Sequence, residues 1–156
     1  MTDGHREIRN LRYRYSRHLD AQEWNEWVSL MTDDVKCEYE GWDPFVGREE
    51  VLEFGRDTIA SVFEYTAHMV QMPLIEIDGD EATGRWYLNL FYVLTDGAAG
   101  WRQGRYEDRY RRVDDEWKFS FVRTEIHTNA TELFTATREW DDHYEKEMYT
   151  IESADE

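Results

Sequence analysis

Cysteine, proline and lysine are scarce in this sequence, whose 156 residues include one cysteine, two prolines and three lysines. The lone cysteine, Cys37, excludes an internal disulfide and is typical of a reducing compartment. No stretch approaches the ~18 consecutive apolar residues of a membrane-spanning helix, and residues 1–10 lack the apolar core of a secretion signal. We therefore expect a cytoplasmic protein that does not enter a membrane.

Positive charge is also scarce, because 18 lysines and arginines face 35 aspartates and glutamates, for a net charge of −17. Nucleic-acid phosphates and anionic membrane surfaces would repel such a chain, so we expect neither as a partner. An excess of acids with few lysines is typical of salt-loving organisms, in which dissolved salt screens the self-repulsion.

Aromatic side chains are abundant, at 15% of the chain, with 7 tryptophans and 10 tyrosines. The length suits one domain with a substantial core. Trp and Tyr combine a large apolar surface with one polar group, so they suit the wall of a pocket. A solid aromatic core without a pocket explains the composition equally well.

The spacing of apolar residues predicts helices first and strands afterwards. The predicted elements are helices over residues 3–19 and 20–31, a strand over 35–40, a helix over 46–63, and strands over 66–77, 81–95, 101–113 and 116–128. Asp20 and Glu23 are predicted to form a capping box at the start of the second helix. Short turns such as DGD and DGAAG join the later strands as antiparallel neighbours.

This order of elements indicates the α+β class. A strongly curved antiparallel sheet, closed on one face by the N-terminal helices, would form a cone-shaped barrel whose interior holds a ligand. We expect this domain to span residues 1–128. Residues 129–156 are expected to form a C-terminal tail that is helical at first and acidic at its end.

Four segments resemble the SnoaL-like branch of the nuclear-transport-factor-2-like superfamily. They are YSRHLDAQEWNEWVSLMTDDVKCEYEG, FVGREEVLEF, HMVQMPLIEIDGDEATGRWYL and GRYEDRYRRVDDEWKFSFV, and they cover roughly residues 6 to 127. The first and third are similar to a subgroup that includes scytalone dehydratase and related dehydratases, which use a histidine base oriented by an aspartate. The resemblance implies the cone fold and an oligomer, a trimer or a dimer.

The same resemblance implies roles for individual residues. It places Asp20 and His68 on the aspartate and the histidine base, and Tyr39 on a tyrosine that assists the leaving group. Tyr92 stands where a second catalytic histidine is found, and Tyr106 falls near an asparagine of the dehydratase pocket. These departures imply a base that is kept and substrate contacts that differ.

The two central residues also have simpler interpretations. Asp20 is explained by helix capping alone, and both roles coexist only if one carboxylate oxygen caps while the other reaches His68. His68 is explained as a half-buried strand residue. As a pair, a carboxylate on one ring nitrogen fixes the imidazole tautomer and leaves the other nitrogen to take a proton.

Five further residues are candidates for substrate binding. They are Trp86, Tyr92, Tyr106, Asp108 and His127. Alternation in the segment RYEDRYRR places Tyr106 and Asp108 on one face, either toward the cone or toward solvent. His127, beside Glu125, is a candidate for the mouth of the cavity, and a surface position explains it too.

The leading hypothesis is a cofactor-independent lyase, similar to dehydratases, that acts on a small apolar or aromatic ring compound. An isomerase or cyclase with the same base is the nearest alternative, because proton abstraction beside a carbonyl begins all three reactions. A non-catalytic ligand-binding or assembly module is the third. We expect no metal, because the sequence has no H-x-x-x-H pair and no cluster of Cys and His.

Overall fold

The computed structural model describes residues 3–130, which form several helices and a six-stranded sheet. The helices are α1 (Asp3–Asp20), α2 (Trp24–Ser29), α3 (Arg48–Glu53), a π-helical turn (Phe54–Ile59) and α4 (Ala60–Val62). The strands are β1 (Met31–Glu38), β2 (Phe45–Val46), β3 (Phe63–Asp78), β4 (Glu81–Leu94), β5 (Ala99–Val113) and β6 (Glu116–Ala130).

The sheet has the order β2-β1-β6-β5-β4-β3 and is antiparallel except for the pair β1–β6. Helix α1 lies across it and contacts β3 and β6. The predicted α+β class is therefore confirmed, with N-terminal helices on a curved, mostly antiparallel sheet.

Alternation along β4 decides which side chains enter the core. Every second residue from Ala82 to Tyr92 is buried, whereas Arg85 and Tyr87 on the other face are exposed. The buried side chains meet the apolar face of α1, which includes Ile8 and Leu11. Removal of this apolar surface from water is the main force that holds the helix against the sheet.

The predicted capping box is wrong. Asp20 is the last residue of α1, and α2 begins after Glu23 with no side-chain cap. The carboxylate of Asp20 accepts hydrogen bonds from β3 instead, including one from Thr66. Hydrogen-bond donors on β3, distant in the sequence, have thus replaced the local backbone N–H groups that a helix cap would use.

Other boundaries shift by a few residues. Strand β1 begins at Met31, which the sequence placed in a helix, because it pairs with Phe119 of β6. Strand β6 continues to Ala130, past the expected boundary at residue 128, and the rest of the predicted helical tail lies outside the described residues. No helix within residues 3–130 has the length and apolar character needed to cross a membrane.

Candidate active site

A pocket of about 100 Å³ lies between α1, the segment 39–63 and the inner face of the sheet. Its apolar wall includes Leu19, Trp27, Phe54, Ile59, Phe63, Leu88, Leu90 and Ile126. Its polar and ionisable groups include those of Tyr15, Tyr39, Thr66, His68, Arg102 and Tyr106. The site is therefore an apolar cavity with a small number of converging polar groups, as is usual for small-molecule sites.

Asp20 and His68 meet at one side of this pocket. Asp20 Oδ1 lies 2.5 Å from His68 Nδ1, and Asp20 Oδ2 accepts a hydrogen bond from the His68 backbone N–H at 2.9 Å. The Thr66 hydroxyl donates to Oδ1 at 2.8 Å. The side chain of His68 is 9% exposed and that of Asp20 is 26% exposed, so the pair is only partly shielded from water.

This arrangement selects one tautomer of the imidazole. An ionised Asp20 accepts a hydrogen bond from the Nδ1–H group, which leaves Nε2 with a free lone pair. No hydrogen-bond partner of Nε2 is found within residues 3–130, and the ring lines the pocket. A group held in this way can accept a proton from a bound molecule.

A pair of tyrosine hydroxyls faces the same pocket. Tyr39 and Tyr15 bring their hydroxyl oxygens to 2.8 Å, and Tyr39 stacks on Phe54 with 5.6 Å between ring centres. Burial raises the pKa of both phenols well above the ordinary value of 10.0, so both stay protonated at neutral pH. One proton joins the two oxygens, and the Cys37 thiol is a further hydrogen-bond neighbour of the Tyr39 hydroxyl.

Tyr15 was missed as a site residue from the sequence, where it marks only the buried face of α1. A usable signal was present: a buried tyrosine normally finds a partner for its hydroxyl. The partner, Tyr39, follows strand β1, and the pairing of these distant segments was not visible in the sequence.

A buried ion pair lies beneath Tyr106. Arg12 Nε is 3.6 Å from Asp108 Oδ2, both side chains are 0% exposed, and Tyr110 donates to Asp108 at 2.8 Å. The guanidinium carbon of Arg12 lies 3.4 Å from the centre of the Tyr106 ring. Burial raises the pKa of Asp108 to about 6 despite the opposing charge of Arg12.

The cluster holds Tyr106 but does not itself reach the pocket. Tyr106 lines the pocket, whereas Asp108 lies behind it in the core. Burial raises the pKa of Tyr106 to about 12, so this phenol also stays neutral. Arg12 was missed from the sequence, because a charged residue on an amphipathic helix is ordinarily assigned to the solvent face.

The family model of the SnoaL-like domain matches residues 2–123. The chain belongs to the SnoaL-like domain family. The predicted membership of the nuclear-transport-factor-2-like superfamily is thus confirmed.

Solved structures share the SnoaL-like fold of this chain. LinA is 21% identical, with a TM-score of 0.78 over 82% of this chain and 88% of that one. Hexachlorocyclohexane dehydrochlorinase LinA-type3 from Novosphingobium barchaimii LL02 is 19% identical, with a TM-score of 0.76 over 81% and 88%. A scytalone-dehydratase-like protein from Novosphingobium aromaticivorans DSM 12444 is 24% identical, with a TM-score of 0.76 over 82% and 87%.

Besides Asp108, three of the predicted substrate-binding residues of this SnoaL-like domain are not brought to the pocket. Trp86 is in the core, where its Nε1 donates to the Tyr110 hydroxyl at 3.2 Å. Tyr92 lies behind Phe63, with 5.8 Å between ring centres, and its hydroxyl donates to Asn129 at 3.1 Å.

The third, His127, is exposed on β6. Its Nε2 lies 3.9 Å from the Glu125 carboxylate, on the face that does not line the pocket. Among the described residues, no group of three or more His, Cys, Asp and Glu side chains is placed to hold a metal ion.

Proposed function

We propose that this SnoaL-like protein is a small-molecule lyase of the dehydratase type, in which His68 removes a proton from a cyclic, largely apolar substrate. The observation that carries the proposal is the Asp20–His68 contact of 2.5 Å at the wall of an apolar pocket. Asp20 orients the imidazole and stabilises the imidazolium that forms when Nε2 takes the proton. A base positioned in this way contributes roughly 10²–10⁴-fold to the rate.

The proposed reaction is an elimination beside a carbonyl group. His68 Nε2 takes the proton from the carbon next to the carbonyl, and the electrons of that C–H bond form an enolate. The enolate then forms a carbon–carbon double bond as hydroxide or halide departs with its bonding electrons. The Tyr39 hydroxyl, which lines the pocket, would donate a hydrogen bond to the enolate oxygen or to the departing oxygen and so stabilise the developing negative charge.

Two structural relatives agree in reaction class with this proposal. One is named for dehydrochlorination and the other for dehydration, and both reactions are eliminations. An isomerase or cyclase would use the same first step. It would return the proton to another carbon, or join two carbons, instead of releasing a leaving group.

One observation favours a different class, a ligand-binding or assembly module without catalysis. The pocket volume of about 100 Å³ is small beside the ~300–1,000 Å³ of most ligand sites. Binding of a ring compound therefore requires side chains at the mouth to move. Trp42 is the best placed to do so, because it lines the pocket and is 48% exposed.

An elimination assay distinguishes a lyase from a ligand-binding or assembly module. Ring compounds with a hydroxyl or halide on the carbon β to a ketone are incubated with the protein, and the conjugated product is followed by its ultraviolet absorbance. Wild type and the control His18→Gln should give product, since His18 contacts Glu23 outside the pocket. His68→Gln should give none. Equal rates for wild type and His68→Gln would remove the base from the proposal.

We also propose that the protein is a homo-oligomer, a trimer or a dimer, joined through the outer face of β3 and β4. This face exposes large apolar side chains: Tyr65, Met69, Tyr87 and Phe91. Light scattering should show that Phe91→Glu lowers the mass of the particle, whereas Thr83→Glu, farther along the same face, does not. A wild-type monomer would contradict the proposal. Residence in the cytoplasm stays a prediction from the sequence.

A further inference from the structure

Arg102 is the one lysine or arginine among the described residues that line the pocket. It lies in a protein of net charge −17, in which acidic side chains outnumber basic ones almost two to one. The other charged group apart from His68 is Glu40, whose carboxylate accepts a hydrogen bond from the Ile126 backbone N–H. A cation at the wall of a largely apolar cavity is costly unless a partner of opposite charge compensates it.

The pairing of the strands places Arg102 opposite the base. His68 pairs with Leu90 across β3 and β4, and Leu90 pairs with Arg102 across β4 and β5. The three residues therefore form one row on the inner face of the sheet. Two strand spacings of ~4.8 Å separate the backbone of His68 from that of Arg102 by roughly 10 Å. Once side chains at the mouth have moved, a six-membered ring with one substituent has the length needed to reach from one of these side chains to the other.

The guanidinium of Arg102 is held at one edge. Its Nε donates to Asn129 Oδ1 at 3.4 Å, and this oxygen also accepts the Tyr92 hydroxyl at 3.1 Å. The guanidinium carbon lies 4.9 Å from the centre of the Tyr92 ring and 6.0 Å from that of Phe63. These contacts fix the plane of the group. Within residues 3–130, its two terminal nitrogens have no acceptor.

A glycine leaves room for the Tyr92 ring, against which the guanidinium of Arg102 lies. Gly100 pairs with Tyr92, and a Cβ at Gly100 would lie 2.5 Å from the Tyr92 hydroxyl oxygen. Any side chain at this position would displace the phenol from Asn129. The backbone of β5 thus leaves space for the aromatic ring on which Arg102 rests.

We propose that Arg102 binds a carboxylate of the substrate, so that the substrate is a cyclic carboxylic acid whose ring lies between Arg102 and His68. A guanidinium whose two terminal nitrogens have no acceptor among residues 3–130 matches a carboxylate in a two-point contact. The carboxylate would compensate the charge of Arg102 and fix the ring relative to Nε2 of His68. This inference deepens the proposed function and rests on it for the role of His68 as the base that removes a proton from the bound ring.

The test compares an acid with its neutral isostere. Cyclohex-1-ene-1-carboxylate and cyclohex-1-ene-1-carboxamide are titrated into the protein and followed by tryptophan fluorescence, since Trp27 and Trp42 line the pocket. The wild type should bind the carboxylate at least ~10-fold more tightly than the amide, which is the order of effect of a charge-assisted hydrogen bond. Arg102→Gln should abolish this preference, and Arg102→Lys should keep part of it.

Arg85→Gln is the matched control, because it makes the same change of charge at an exposed position of β4. It should keep the wild-type preference. Equal binding of acid and amide by the wild type, no binding of the acid, or a preference that survives in Arg102→Gln would overturn the proposal.

Repetition in the His68→Gln background separates this inference from the proposed function. His68→Gln should lose elimination and keep the preference for the carboxylate. A carboxylate preference in a wild-type protein that eliminates nothing would overturn the proposed lyase activity alone. Elimination without the carboxylate preference would overturn the role of Arg102 alone.

Discussion

Asp20 contacts His68 through both of its carboxylate oxygens: Oδ1 lies 2.5 Å from the ring Nδ1, and Oδ2 accepts the backbone N–H at 2.9 Å. The two contacts join the end of α1 to β3. They also fix the imidazole relative to its own backbone, so that rotation of the ring would break one bond while the other remains. The aspartate thus determines both the tautomer and the direction of the base.

Asp20→Asn tests the orientation of the base. The amide of asparagine can present its N–H₂ to Nδ1, which would select the opposite tautomer and turn the lone pair away from the substrate. We expect kcat in the elimination assay to fall by roughly 10²–10⁴-fold while KM changes little. Asp115→Asn, in the exposed β5–β6 turn, is the control and should not change kcat. An active Asp20→Asn enzyme would contradict the role of the carboxylate.

The tyrosine pair gives a second prediction. Tyr39→Phe should lower kcat about 10- to 100-fold by removing a hydrogen bond to the developing negative charge, and Tyr15→Phe should have a smaller effect because it acts through Tyr39. Spectrophotometric titration provides an independent readout. Since burial raises the pKa of both phenols well above 10.0, they should ionise only when the protein unfolds. Ionisation of both in the folded protein below pH 10 would contradict their burial.

Asp108 gives a prediction about stability and pH. Its folded-state pKa is raised by burial to about 6 from an ordinary 3.8, so the folded protein binds a proton that the unfolded chain releases. This contribution to stability is complete below about pH 4 and is lost as the pH rises through about 6. Relative to Asp108→Asn, the wild type should lose about 2 kcal/mol of unfolding free energy between pH 4 and 7.

Urea unfolding of both proteins at several pH values measures this difference. The comparison cancels titrating groups that the two proteins share. A difference that stays constant with pH would show that Asp108 titrates normally in the folded state.

Cys37 gives a prediction about chemical reactivity. The thiol is 0% exposed, and burial raises its pKa to about 12. The thiolate is the reactive form, so a thiol reagent at pH 8 should react with the folded protein only as fast as the protein unfolds. One thiol per chain should react promptly in urea. Rapid modification without loss of the folded structure would contradict the burial of this side chain.

The features that the sequence predicts well are those set by local pattern. The alternation of Trp86, Leu88 and Leu90 requires a strand with one buried face, and the DGD turn after β3 requires a hairpin. The helical face of Ile8 and Leu11 follows from the same physics, because the 3.6-residue period of a helix brings them together. Each signal spans fewer than about ten residues.

The features that were predicted wrongly or missed depend on distant partners. Asp20 has the sequence context of a helix cap, and only the approach of β3 gives its oxygens better donors. Arg12 reads as a surface residue until Asp108 and the ring of Tyr106 are placed beside it. No local window contains both members of these pairs.

His127 was expected at the mouth of the cavity, and the structure places it elsewhere for a different reason. The register between β5 and β6 shifts between Arg109 and Tyr110, whose partners are Phe121 and Phe119, so that Ser120 is an extra residue on β6. A bulge of this kind changes which side chains face inward beyond it. Ile126 lines the pocket and His127 does not, and simple alternation from the hairpin turn cannot predict this outcome.

The most direct test of the account is proton exchange at carbon in a compound that has no leaving group. 1-Tetralone and 4-oxocyclohexanecarboxylate are incubated in D₂O with the wild type or with His68→Gln, and deuterium at the carbon beside the ketone is measured by NMR. The wild type should accelerate exchange of at least one of them over buffer, and His68→Gln should not. Identical rates in buffer, wild type and His68→Gln would contradict the assignment of His68 as a base.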